Sequence, residues 1–206
     1  MQKLPDAKAY ELLKKAKIPI ARFALARTAE QAAASAKKLK YPVVLKIDAE
    51  IIHKAQHGCV KVVKNEAELP AAFEEIMKNA HKATKKINGM IVQEFAKGTE
   101  FIVGGKRDAQ FGPVVLVGSG GIMANLLKDV SFRLAPLSKA DAAEAIAKCK
   151  AYETAKDSKK ALDALADIAS KAGTLLAKNE KILELDINPV MVSGNKAVAA
   201  DVRIIV

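Results

Sequence analysis

The chain has 206 residues, half of them apolar, and a formal net charge of +11; that length supports one sizeable core or two small lobes. No apolar run approaches the roughly 18 to 20 residues of a membrane span. The basic residues are overwhelmingly lysine, with arginine only at Arg22, Arg27, Arg107, Arg133 and Arg203, and aromatics make up 4% of the chain, so the composition argues against bidentate phosphate or base readout and base stacking. The expected partners are small anions, not nucleic acid or membrane. The opening "MQKLPDAKAYELLKKAKIPI" has charges at helical spacing and no apolar leader, which predicts a cytoplasmic protein. Cys59 and Cys149 have neither zinc nor disulfide-framework spacing, in keeping with a reducing compartment.

In chain order, "PDAKAYELLKKA" places Ala7, Leu12, Leu13 and Ala16 on one side of a first helix. "RTAEQAAASAKKL" opens a second, with Thr28 and Gln31 in capping-box spacing. "YPVVLKI" and "GCVKVV" read as strands joined by "DAEIIHKAQH", and Asn65 with Glu68 caps a long helix reaching toward His81. "GMIVQEF", "TEFIVGGKRD", "FGPVVLVG" and "VSFRLAPL" follow as strands, with Gly104, Gly105, Gly112 and the "GSGG" of Gly118 to Gly121 read as turns. Helices are expected over about 138–150 and 157–178, the second with Leu162, Leu165, Ala169, Ala172 and Leu176 in a stripe. The end reads as a hairpin turning near Ser193, Gly194 and Asn195. The result is an α+β chain, one domain of two lobes.

Some of these segments carry polar residues where chemistry can happen. Lys46 ends an apolar strand, where a charged head needs an anion or a route to solvent. Asp186 and Asn188 alternate with Leu185 and Ile187, so both fall on one strand face and offer hard oxygens together. His53 and His57 share the connection after the Lys46 strand, and the glycines of "GSGG" could offer N–H groups to phosphate.

The ordered set "YPVVLKI", "IIHK", "VQEFAKGTEFIVG", "FGPVVLVGSGG", "LKDVSFRLAPL", "ELDINPV" and "ADVRI" resembles the ATP-grasp subunit of ADP-forming acyl-CoA synthetases, also called ADP-forming acetate-CoA ligases, across nearly the whole chain. The resemblance implies an ATP-grasp fold, two α/β lobes clasping a nucleotide, with a small lobe at about 20–90 and a large lobe at about 91–206 that includes the N-terminal helix. It implies the reaction acyl-CoA + ADP + phosphate giving acid, CoA and ATP, with the acyl and CoA chemistry on a CoA-binding, alpha-type partner subunit. Residue by residue, it implies that Lys46 contacts nucleotide phosphates and that Gln93, Glu94, Phe95 and Ala96 form a hinge holding adenine. Glu100 would accept from ribose hydroxyls, and Asp186, Asn188 and Asp201, placed on the returning strand, would hold Mg2+ with ADP or ATP as substrate. His53 would relay phosphoryl between a partner phosphohistidine and ADP, while His57 and His81 have no implied role.

This chain departs from the pattern in places. Ala55, Gln56, His57, Gly58 and Cys59 follow "HK" where Ser, Asp and a Gly-Gly pair are usual. Asn125 stands where a glutamate is usual, and "AYETAKDSKKAL" lacks an arginine-glycine pair. A non-catalytic ATP-grasp regulatory subunit and an ATP-grasp carboxylate-amine ligase therefore stand as alternatives.

Overall fold

The computed structural model describes residues 2–51, 53–121 and 129–206. The chain divides into two compact units, one formed by Pro5–Lys8 and Ala21–Phe95, the other by Met1–Leu4, Ala9–Ile20 and Ala96–Val206. Helix α1 spans Asp6–Lys15.

The first unit is a four-stranded antiparallel sheet in the order β1-β4-β2-β3, with β1 at Phe23–Ala26, β2 at Val43–Ala49, β3 at Val60–Val63 and β4 at Ile87–Glu94. Two helices, α2 (Ala29–Leu39) and α3 (Leu69–Ala83), accompany it. Val43, Leu45, Ile47 and Ala49 alternate along β2 and enter one core with Met90 and Val92 of β4, Ala32 and Ala36 of α2, and Phe73 and Ile76 of α3. The capping box expected at α2 is half formed. Thr28 accepts the Gln31 N–H at 3.3 Å, but Gln31 Oε1 reaches one residue further back and accepts from the Arg27 N–H at 2.9 Å. Asn65 caps a 3-10 turn at Glu66–Glu68, and α3 begins only after it, with Pro70 in its first turn, where a missing N–H is harmless. Strand β1, in "RFALA", was not anticipated: four residues with little alternation carry almost no periodic signal.

The second unit is a six-stranded antiparallel sheet. β5 (Thr99–Asp108), β6 (Gly112–Ser119), β7 (Val130–Leu134), β8 (Glu184–Ser193) and β10 (Arg203–Ile205) lie in the order β10-β8-β5-β6-β7, and β9 (Lys196–Ala199) pairs with β8. The expected hairpin turn lies at Gly194 and Asn195, since Ser193 pairs with Lys196; the chain then returns to β8 a second time as β10. Helix α4 (Lys139–Ala147) has a full capping box from Ser138 and Asp141. A short helix α5 (Ala151–Ala155) and the long α6 (Lys159–Lys178) follow. The apolar stripe read on α6 is buried, and the helix packs across β5, β6, β8 and β9.

Gly104 and Gly105 are not turn residues as expected; they lie inside β5. A Cβ on Gly105 would sit 2.9 Å from Leu176 Cδ2 and 3.0 Å from the Val114 carbonyl, so the glycine lets α6 approach the strand. The β5–β6 turn is made instead at Ala109 to Phe111, where the Asp108 carboxylate accepts the Gln110 and Phe111 N–H groups. Among the described residues no helix is long and apolar enough to cross a membrane.

Candidate nucleotide and metal site

In the first unit the face of β2 turned away from its helices carries Val44, Lys46 and Asp48. Lys46 and Asp48 are nonetheless buried, at 6% and 1% exposure. Lys46 lies opposite Ile91 of β4 and Val60 of β3. Burial at that level demands charge compensation, and the same unit supplies an alternation of sign. The Asp48 carboxylate accepts the Asp6 N–H at 2.8 Å and the Ala7 N–H at 3.4 Å, capping the start of α1 from a strand 41 to 42 residues away. Asp6, itself fully buried, forms an ion pair with buried Lys54.

Lys54 is half of the "HK" pair, and the structure separates the two partners. The Lys54 side chain points into the unit while His53 is exposed at φ 57°, a left-handed conformation uncommon for a side chain with a Cβ. Two turns follow, closed by Gln56 N–H to the His53 carbonyl and Gly58 N–H to the Ala55 carbonyl. The loop rejoins the sheet through Cys59 N–H to the Lys54 carbonyl and Ile47 N–H to the Cys59 carbonyl. Cys59, the departure from the Gly-Gly pattern, turns its side chain into the core of this unit. Gly58 keeps a positive φ of 62° against Asn79, whose amide donates to its carbonyl at 3.2 Å. His57 is exposed in the same loop, and His81 is exposed in the last turn of α3.

The expected hinge residues do different things. Gln93 is buried, and its amide donates to the Ala21 carbonyl at 3.5 Å. The Glu94 carboxylate is held by the Arg22 guanidinium at 2.7 Å, which raises the Arg22 pKa through that hydrogen bond and the carboxylate's charge. Both side chains thus serve the sheet, and the Glu94 N–H donates to the Arg22 carbonyl at 2.8 Å. Phe95 is half-buried and follows the last residue of β4.

In the second unit Ala96 is half-buried and Glu100 is exposed as the second residue of β5. Of the "GSGG" expected as a turn, Gly118 and Ser119 lie in β6, and the two glycines after it fold directly onto Glu100: the Gly120 N–H donates to the Glu100 carbonyl at 2.7 Å, and a Cβ on Gly121 (φ 66°) would fall 2.6 Å from Glu100 Oε2. Only glycine at 121 leaves that carboxylate where it is. Thr99, Glu100, Ser119, Gly120, Gly121, Lys150, Ala151 and Thr154 line a cleft of about 380 Å³. A network missed by the sequence reading staples its wall together. The Asp129 carboxylate accepts from the Ser119 hydroxyl and, at 2.7 Å, from the Lys150 N–H, while Ser119 Oγ accepts the Ala151 N–H at 2.9 Å. Asn125 lies outside the described residues.

A second cleft opens on the sheet face opposite α6, where Asp186 and Asn188 line one wall with Lys106, Glu184 and Arg203. A register shift between β5 and β8 falls at Asn188 and Pro189, so Ile187 and Val190 both face the core and Asn188 is thrown to the open side. Asp201 is not on the returning strand as expected; it occupies the link between β9 and β10. It still comes beside Asn188, whose N–H donates to the Asp201 carbonyl at 3.2 Å. Asp186 instead lies opposite Arg203, with its carboxylate 3.5 Å from the guanidinium, which also reaches Glu184 at 3.8 Å. Arg203 was given no role from the sequence, although its place two residues after Asp201 puts it on the same side of an extended chain. Among the described residues no group of three His, Cys, Asp or Glu side chains is arranged to hold a metal. An amide oxygen from Asn188 and one carboxylate from Asp201 do suit magnesium, which takes one or two protein oxygens and fills its octahedron with phosphate and water.

An ATP-grasp domain model matches residues 1–206, and the chain is an ATP-grasp domain. It is 44% identical over 210 residues to the beta subunit of acetate-CoA ligase [ADP-forming] I of Pyrococcus furiosus, covering 98% of this chain and 90% of that one. It belongs to that family of ADP-forming acyl-CoA ligase subunits. A longer relative, acetate-CoA ligase [ADP-forming] I of Archaeoglobus fulgidus, is 37% identical across 91% of this chain but only 29% of its own length. Among solved structures, the dinucleotide-forming acetyl-coenzyme A synthetase 1 of Ca. Korarchaeum cryptofilum, in complex with coenzyme A and Ca-AMPCP, superposes with a TM-score of 0.92 at 37% identity, covering 100% of this chain and 93% of that one. The same protein with coenzyme A and Mg-AMPPCP, its phosphohistidine segment pointing towards the nucleotide binding site, gives 0.83 at 35% identity, with the same coverage.

Proposed function

We propose that this chain is the nucleotide-binding subunit of an ADP-forming acyl-CoA ligase, acting with a CoA-binding partner subunit in the reaction acyl-CoA + ADP + phosphate giving acid, CoA and ATP. Its relatives are ligases of this kind, which favours neither the regulatory subunit nor the carboxylate-amine ligase. Lys46 offers its ammonium to the nucleotide phosphates, the backbone at Glu94 to Ala96 takes the adenine edge, and Glu100, set by Gly120 and Gly121, accepts from the ribose. Asn188 and Asp201 hold magnesium; Asp186, neutralised by Arg203, supports the metal's surroundings from the neighbouring strand position. When bound, magnesium neutralises phosphate charge that would otherwise repel an incoming nucleophile.

His53 carries the group. An imidazole nitrogen attacks the phosphorus of a partner phosphohistidine, forming one N–P bond as the partner's breaks. A terminal ADP oxygen then attacks the same phosphorus, releasing imidazole and forming the new O–P bond of ATP. The observation that supports this most is the presentation of His53: exposed, at positive φ, next to a lysine anchored in a buried ion pair. The test is single-turnover transfer from a phosphorylated partner subunit to ADP. His53→Ala should abolish transfer and leave Mg·ADP affinity within about twofold, whereas transfer at the parent rate would show the histidine to be structural.

A further inference from the structure

The ladder between β5 and β6 ends with Phe101 opposite Ser119, and the chain beyond it lies against Glu100. A Cβ on Gly120 would stand 2.8 Å from Glu100 Cβ, as one on Gly121 would crowd Glu100 Oε2, so the two glycines together set where that carboxylate can be. Glycine has the most backbone freedom to lose and cannot hold a position by itself. The restraint comes from the residues beside it. Asp129, half-buried just before β7, binds Ser119 twice: its carbonyl accepts the Ser119 N–H at 3.2 Å, and its Oδ2 accepts the Ser119 hydroxyl. The same Oδ2 accepts the Lys150 N–H at 2.7 Å, and Ser119 Oγ accepts the Ala151 N–H at 2.9 Å. Ser119 is 1% exposed, so its hydroxyl needs these partners. One carboxylate therefore ties together the end of β6, the approach to β7 and the start of α5, and two of those three segments line the Glu100 cleft.

We propose that Asp129 is a positioning residue for the ribose: through Ser119 it fixes Gly120 and Gly121, these fix the Glu100 carboxylate, and the protein thereby prefers ribonucleoside diphosphates to their deoxy forms. This rests on the reading of Glu100 as the acceptor of the ribose hydroxyls. Hydrogen bonds to a charged acceptor are stronger than neutral ones and weaken steeply when their angle is lost. A small displacement of the carboxylate is therefore felt by a nucleotide that carries the hydroxyls and not by one that lacks them. Nothing in "LKDVSF" marks Asp129 for this role, because its partners Ser119 and Lys150 lie 10 and 21 residues away.

The experiment measures the affinity of the full chain for ADP and for 2′,3′-dideoxy-ADP by calorimetry in Mg2+. The parent should prefer ADP by about 10- to 100-fold, the worth of hydrogen bonds to a charged acceptor. Asp129→Ala should weaken ADP about tenfold and leave the dideoxy nucleotide within about twofold of the parent, which also reports that the fold is intact. Ser119→Ala cuts the relay and keeps the carboxylate; it should lower the preference by about threefold or more, and it carries the test where Asp129→Ala does not fold. Glu100→Ala should lose the preference altogether. A parent-like preference in Asp129→Ala or Ser119→Ala, with Glu100→Ala impaired, overturns the role of Asp129 and leaves Glu100 standing. Equal weakening of both nucleotides would make Asp129 a packing residue and also overturn it. A parent-like preference in Glu100→Ala removes the ribose acceptor itself and the inference with it.

Discussion

Replacing Lys54 by methionine tests how the His53 loop is held. Methionine follows the path of the lysine stem and keeps most of its packing, so the variant removes chiefly the ammonium. What remains is the Asp6 carboxylate, fully buried, with the Lys54 ammonium gone from beside it. Asp48 cannot compensate, since it is also an acid and already accepts the Asp6 and Ala7 N–H groups. Breaking a buried pair from one side is destabilising by about 3–5 kcal/mol, and the residual 7% exposure of Lys54 places this pair at the lower end, about 3 kcal/mol. Urea denaturation of the full chain followed by circular dichroism should show that loss as a lower midpoint with little change in slope. Adding Asp6→Asn should recover more than half of it, because the double variant no longer buries the Asp6 charge without the Lys54 ammonium. Limited proteolysis should meanwhile cut Lys54→Met first within 53–58, as the loop has lost its anchor. A midpoint shift worth less than about 1 kcal/mol, the range of an exposed pair, would refute the reasoning and show that the backbone bonds at Cys59 hold the loop by themselves.

Two further outcomes follow from packing. Gly173→Ala on α6 improves helix propensity by about 1 kcal/mol, but the new Cβ would press on Leu137 Cδ2 and stand 3.2 Å from Val115 Cγ2; overpacking of about 1–3 kcal/mol should win and lower the thermal midpoint, and a rise would contradict the close approach of helix and sheet. Burial holds the Cys149 thiol up at about 11 against an ordinary 9.0, with the Asp129 charge adding to the effect. The folded state therefore favours the protonated thiol, a contribution fully present below pH 9 and lost as pH rises toward 11. Iodoacetamide at pH 8 should leave Cys149 unmodified in the native protein and alkylate it in urea, and rapid native labelling would rule out the buried placement.

Much of the architecture was legible because it is written in short-range pattern. The period of α6, the Ser138 start of α4, the alternation of "ELDIN" and the Ser-Gly-Asn turn each depend on residues within a few positions of one another, and each lies where it was expected. The ordered motifs extended this to the fold. Where local pattern was weak or ambiguous the expectation failed: β1 is too short to show a period, and Gly104 and Gly105 look like any turn until the strand pairs across them and α6 is laid against Gly105.

The candidate site was legible as residue types but not as roles. "HK" names a histidine and a lysine without saying which is buried; Asp6, 48 residues before Lys54, decides it. "DINP" offers two polar side chains on one face; β10 decides that Asp186 meets Arg203, and the link before it decides that Asn188 meets the Asp201 backbone. The physical reason is common to these cases. Backbone hydrogen bonding and side-chain period act over a few residues, so a sequence displays them directly. The neutralisation of a buried charge and the orientation of a carboxylate depend on whichever group the fold brings within about 3 Å, and no local pattern records which group that will be.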